Sequence, residues 1–271
     1  MATAKKQVKD EDKSLPATQS AALVMMQDEV PDYLRTEGPG RGSENVGTDD
    51  IVIPRLEIVQ ALSPYVKDGD AQFIPEARPG MLINSVTKQL YGKEVMLVAV
   101  FYMKQWLVWG KRKDDKGSAL QGGFFGGFDN TMDAEARKDE EIEKGSNGGH
   151  VEVIDTPQHL CLLVNINTGS VDEVMLSMPR TKAKISRAWN SMVRLAGGDR
   201  FSRVYRVTTQ LEKKTQGDYY NFAIAQSGFP AKPLYERAEK LYTQIAEGQR
   251  RVVVDADGLA GDETHDPEAE M

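Results

Sequence analysis

The chain has little of what metal and redox chemistry need. One cysteine, Cys161, in 271 residues excludes an internal disulfide and any multi-cysteine metal site. Three histidines, His150, His159 and His265, leave little material for a zinc centre. Long hydrophobic runs are missing too. No apolar stretch approaches the roughly 18 residues of a membrane-spanning helix. The N-terminal stretch Ala21–Met26 is too short for the core of a signal peptide. Catalytic signatures are absent as well. Gly38–Gly42 (GPGRG) has neither the strand before it nor the helix after it that a dinucleotide fingerprint needs. There is no Gly-Lys-Ser/Thr phosphate loop and no Gly-x-Ser-x-Gly elbow. These absences predict an intracellular soluble protein with no catalytic site, no cofactor and no metal.

What is present is charge, unevenly spread. The formal net charge is −7, from 34 bases and 41 acids. Seven of those acids fall between Asp255 and Met271, a segment without Lys or Arg, so the rest of the chain carries 34 acids against 34 bases. Within that neutral body, Arg180–Lys214 holds ten bases against Asp199 and Glu212, and Lys88–Lys113 holds six bases against Glu94. The overall acidity therefore masks two basic segments and an acidic tail.

Residues 1–50 are polar and rich in Gly, Pro and acids, which predicts a flexible arm. Ile51–Val66 reads as an extended entry followed by a short helical turn, and Gly80–Thr87 as a short strand. Glu94–Trp109 is the clearest β signal, either one bent strand or two meeting near Met103–Gln105. A flexible insertion is expected at about residues 114–150, with the Gly-rich loop Gly122–Phe128 and a charged helix over Asp129–Lys144. His159–Asn167 and Val171–Met178 form a hairpin. Thr181 caps a helix over Lys182–Ala196, and Arg203–Leu211 with Tyr219–Gln226 form a second hairpin. An amphipathic helix over Pro230–Glu247 ends the domain, and residues 249–271 form a disordered acidic tail.

The fold class is α+β, mainly β. Among α+β arrangements the order fits an OB-fold-like five-stranded barrel over residues 51–248, with a helix between strands 3 and 4 and a C-terminal helix.

Single-stranded nucleic acid needs a basic groove for phosphates and aromatic faces for bases. Both occur in the two basic segments. The stacking candidates are Trp106, Trp109, Tyr205, Tyr219 and Tyr220. The phosphate candidates are Lys104, Lys111, Arg112, Lys182, Lys184, Arg187, Arg203, Arg206, Lys213 and Lys214. On the helix, Ile185, Ala188, Trp189 and Met192 follow the spacing of a buried stripe, with Lys184, Arg187, Ser191 and Arg194 on the flank. Two other readings stand beside this one. A structural or interaction protein would explain polar ends without catalytic residues. A metal-dependent nuclease would use Asp155, Asp172 and Glu173.

IVIPRLEIVQALSPYV, EVMLVAVFYMKQWLVWGKR, LSMPRTKAKISRAWNSMVRL and GDYYNFAIA, followed by a helix and an acidic tail, resemble the single-stranded DNA-binding proteins of tailed bacteriophages. The resemblance spans about Asp50 to the C-terminus. It implies an OB-fold core that coats and protects unwound DNA in the cytoplasm of an infected bacterium, during replication and recombination. It also implies partners: replication or recombination proteins reached through the acidic tail, host RNA polymerase, and further copies of the chain, with no membrane. The tail would compete with DNA for the basic groove. Relatives of this kind often end in an aromatic residue, whereas this chain ends in Glu270-Met271.

Overall fold

The computed structural model describes Asn45 and residues 52–114, 116–165, 169–214 and 217–248. The expected acidic tail and nearly all of the expected N-terminal arm lie outside the described residues.

One long ribbon organises the described chain. Strand β4 (Glu94–Gly110) runs 17 residues without interruption, so the β signal around Met103–Gln105 belongs to a single strand. It pairs antiparallel with the 14-residue strand β6 (Val151–Val164), from Met96 opposite Val164 to Gly110 opposite Val151. Both exceed the usual five or six residues of a globular strand. A register shift between Ala99 and Phe101 bends the ribbon.

Different partners complete its two halves. At the Glu94 end, β7 (Val171–Ser177), β8 (Val204–Lys214) and β9 (Gly217–Gly228) extend the sheet in the order β7-β6-β4-β8-β9. At the Gly110 end, β5 (Gly123–Phe128) lies beside β4. The GGFFGGF segment is therefore largely a strand and not a loop: Gly127 accepts the close approach of the Leu107 side chain of β4, and Gly126 sits at φ 138 where a side chain would be strained. Helix α1 (Thr131–Glu143) follows, capped by the Asn130 side chain, which accepts from the Asp133 amide at 2.9 Å. A separate antiparallel sheet joins β1 (Leu56–Ile58), β2 (Leu82–Asn84) and β3 (Leu90–Gly92).

The Glu94 end of the large sheet is buried on both faces. On one face, Leu97, Ala99, Cys161, Leu163, Tyr205 and Val207 pack with Leu56 and Leu82 of the small sheet and with Trp189 of α2 (Ala183–Ala196). On the other, Val98, Val100, Leu160 and Leu162 pack under Ala238 and Leu241 of α3 (Lys232–Ala246). Double-sided burial explains why β4 reads as a nearly continuous apolar run instead of an alternating one.

The fold is thus α+β and mainly β, with three- and six-stranded antiparallel sheets and three helices among the described residues. The hairpin–helix–hairpin order β6-β7-α2-β8-β9 is present. The expected closed five-stranded barrel is not: no pairing among the described strands joins β7 to β9, so the large sheet stays open. A sheet layered on both faces has no single interior around which to curl. The outer side of β7 is instead met by the segment before β1, where the Met175 amide donates to the Pro54 carbonyl at 2.8 Å.

Candidate nucleic-acid interface

Helix α2 reads AKISRAWNSMVRLA, with three cations and no acid. At 100° per residue, Lys184, Arg187, Ser191 and Arg194 fall within about 80° of one another, and Trp189 lies on the opposite side. Burial follows that division. Trp189 and Ser186 are buried, Ile185, Met192 and Val193 are half-buried against the core, and Lys184, Arg187, Ser191 and Arg194 are exposed. Ala188, expected in the buried stripe, is exposed. Thr181 does not cap the helix; it sits in the preceding turn Arg180–Lys182, and Lys182 occupies the cap position, where its side chain does not cap the helix amides.

The helix is anchored through a buried polar centre. The Trp189 indole stacks on the His159 imidazole of β6, centroids 4.5 Å apart. His159 Nδ1 lies 2.7 Å from Arg200 Nη2, and His159 Nε2 lies 2.7 Å from Ser186 Oγ. A guanidinium only donates, so Nδ1 accepts and Nε2–H donates to the serine. Burial, with the Arg200 charge second, holds the imidazole well below its ordinary pKa. Burial also pushes the Cys161 thiol up to about 12, leaving a small apolar core side chain.

Arg203 extends the cationic surface past the end of α2. Its Nη2 donates to the Ala196 carbonyl at 3.1 Å and its Nη1 to Ser202 Oγ at 2.8 Å. Arg187 and Arg194 have no carboxylate partner among the described residues. Lys184 shares Glu212 at 3.2 Å, where the carboxylate also accepts from Tyr219 and Asn221. Burial pushes the Glu212 carboxyl up, but those donors together hold it below its ordinary pKa.

The other expected phosphate contacts are dispersed. Lys104 pairs with Asp155 at 2.7 Å on the outer half of the ribbon and lies over the Trp106 ring. Arg206 faces Glu94 at 3.8 Å. Lys182 is buried beside Phe222. Lys111 and Arg112 follow β4 at its far end, and Lys213 is exposed near the β8–β9 tip. The Lys214 side chain lies outside the described residues.

Three of the five stacking candidates are core residues. Tyr205 (0% exposed) meets Trp189 edge-on, and Trp109 (4%) packs on Phe124. Tyr219 (4%) is held by Glu212. Each sits where a strand turns its side chain inward, so none offers a face to a base. Trp106 and Tyr220 are half-buried. The Tyr220 ring lies against Gly80, and its amide and carbonyl are both bound at 2.8 Å by the Gln60 side chain.

The three acids proposed for nuclease chemistry do not converge. Asp155 lies opposite Trp106, whereas Asp172 and Glu173 lie opposite Leu163 and Leu162, seven or eight residues further along β6, a separation of about 25 Å. Asp172 and Glu173 instead border a cavity of about 300 Å³ with Ile53, Pro54 and Arg237.

Arg194, expected on the helix flank but not among the phosphate candidates, completes the α2 strip. One residue of the surface was not singled out from sequence. Phe229, 71% exposed, lies under the Arg203 guanidinium at 5.0 Å. Its only sequence signal is an aromatic between a strand-ending Gly228 and a helix-leading Pro230.

Among known proteins, the model of a family described as Pam3 phage gp34-like protein matches residues 18–251. No curated protein and no solved structure matches the chain.

Proposed function

The chain belongs to the Pam3 phage gp34-like protein family, and from that premise we propose that this phage protein binds single-stranded DNA without sequence preference, through the outer face of α2. The observation that carries the reading is that face: Lys184, Arg187 and Arg194 on an acid-free helix, with Arg203 at its end. Clustered cations on a rigid element attract a polyanion by releasing its condensed counterions, with no need for base readout. The hairpin–helix–hairpin order shared with OB-folds supports the reading, although the surface is a helix flank and not a barrel cleft.

On this reading the protein coats unwound DNA during phage replication and recombination. The acidic segment Asp255–Met271 contacts partner proteins or competes with DNA for the same cations. Fluorescence anisotropy of labelled oligo(dT) and of a matched duplex tests the assignment. Preferential binding of the single strand, weakened in the R187Q/R194Q double variant, is expected. A double variant that binds like the wild type would remove α2 from the interface.

A further inference from the structure

We infer that Phe229 is the platform on which an unpaired base stacks, an inference that rests on the single-strand reading above. Phe229 is the most exposed aromatic ring among the described residues, at 71%. An exposed phenylalanine is ordinary on a mobile loop, but this one is held from three sides. Gly228 ends β9 and pairs with Val204 of β8, which brings Phe229, the next residue, to the side of Arg203. Pro230 follows and restricts the Phe229 backbone to extended conformations. The Arg203 guanidinium lies 5.0 Å from the ring centroid. Arg203 is itself fixed by the Ala196 carbonyl at the end of α2 and by Ser202. One ring face is thus occupied by a cation, and the exposure leaves the other open.

This arrangement combines two requirements at one spot. A strand whose phosphates follow Lys184, Arg187 and Arg194 along α2 reaches Arg203 at the C-terminal end. There a flat apolar face waits beside the guanidinium. Stacking on an aromatic ring needs a base free of its partner, so Phe229 discriminates against duplex, whereas the α2 cations alone do not. Trp106 and Tyr220 are half-buried and offer less free ring.

The test compares full-length wild type, F229A and R187Q/R194Q on oligo(dT) and on an abasic strand of equal length. Wild type should bind oligo(dT) about tenfold more tightly than the abasic strand. F229A should lose that preference while its abasic affinity stays unchanged, and F229W should keep it. Because the ring is exposed, F229A should melt like the wild type, which a thermal scan verifies. Equal weakening on both strands, or an unchanged preference, would overturn the inference. So would loss of self-association in F229A with the preference intact, since the ring would then be a protein contact. If wild type bound neither strand, or R187Q/R194Q bound both as wild type does, the α2 reading itself would fall.

Discussion

The Trp189 indole lies nearly parallel to the His159 imidazole, their planes within 16°. This stack fastens α2 to β6, and Trp189 is fully buried. Replacing it by Ala removes a large core side chain and leaves a cavity beneath the cationic helix. W189A should lose about 3–5 kcal/mol of stability in urea denaturation. A loss below 1 kcal/mol would mean that α2 is held by something other than this contact.

The same pair sets a pH dependence. The pKa of His159 is depressed in the folded state by burial and by Arg200. The unfolded chain therefore takes up a proton at a higher pH than the folded one. Stability should be fully present above about pH 6.5 and should fall as the pH drops below it, by up to about 1.4 kcal/mol per unit for this one proton. Urea midpoints at pH 7 and pH 5 measure the slope. H159N should flatten it relative to wild type; an equal slope in both proteins would assign the dependence to other groups.

Tyr205 separates packing from polarity. Its ring is buried against Trp189, but its hydroxyl makes no well-formed hydrogen bond among the described residues. Removing only the hydroxyl deletes an unsatisfied group while the ring stays packed. Y205F should match or exceed wild-type stability by up to about 1 kcal/mol, whereas Y205A should lose about 3–5 kcal/mol. Thermal melts of the two variants check both. Destabilisation by Y205F would show that the hydroxyl is bonded in solution.

The sequence carried the local pattern well and the spatial one poorly. Both hairpins, the helix between them and the terminal helix follow from alternation, helical spacing and Gly turns, which are local physics. Barrel closure depends on which faces are covered, and the burial of Val98, Val100, Leu160 and Leu162 under α3 is a long-range fact. Three of the five aromatic assignments, Trp109, Tyr205 and Tyr219, failed for the same reason. Alternation separates Val204 and Arg206 from Tyr205 without saying which side is the core. Trp189 was placed correctly because a helix with cations on one side leaves only the other to bury. Phe229 escaped notice because its meeting with Arg203 depends on the β8–β9 register and on nothing nearby in the chain.

The central claim, that the α2 cations meet phosphates, is tested most directly by the salt dependence of oligo(dT) affinity. About four neutralised phosphates should give the wild type a slope of log affinity against log salt near −3, and R187Q/R194Q should flatten it by roughly 1.4. A wild-type affinity that does not respond to salt, or a double variant with the wild-type slope, would contradict it.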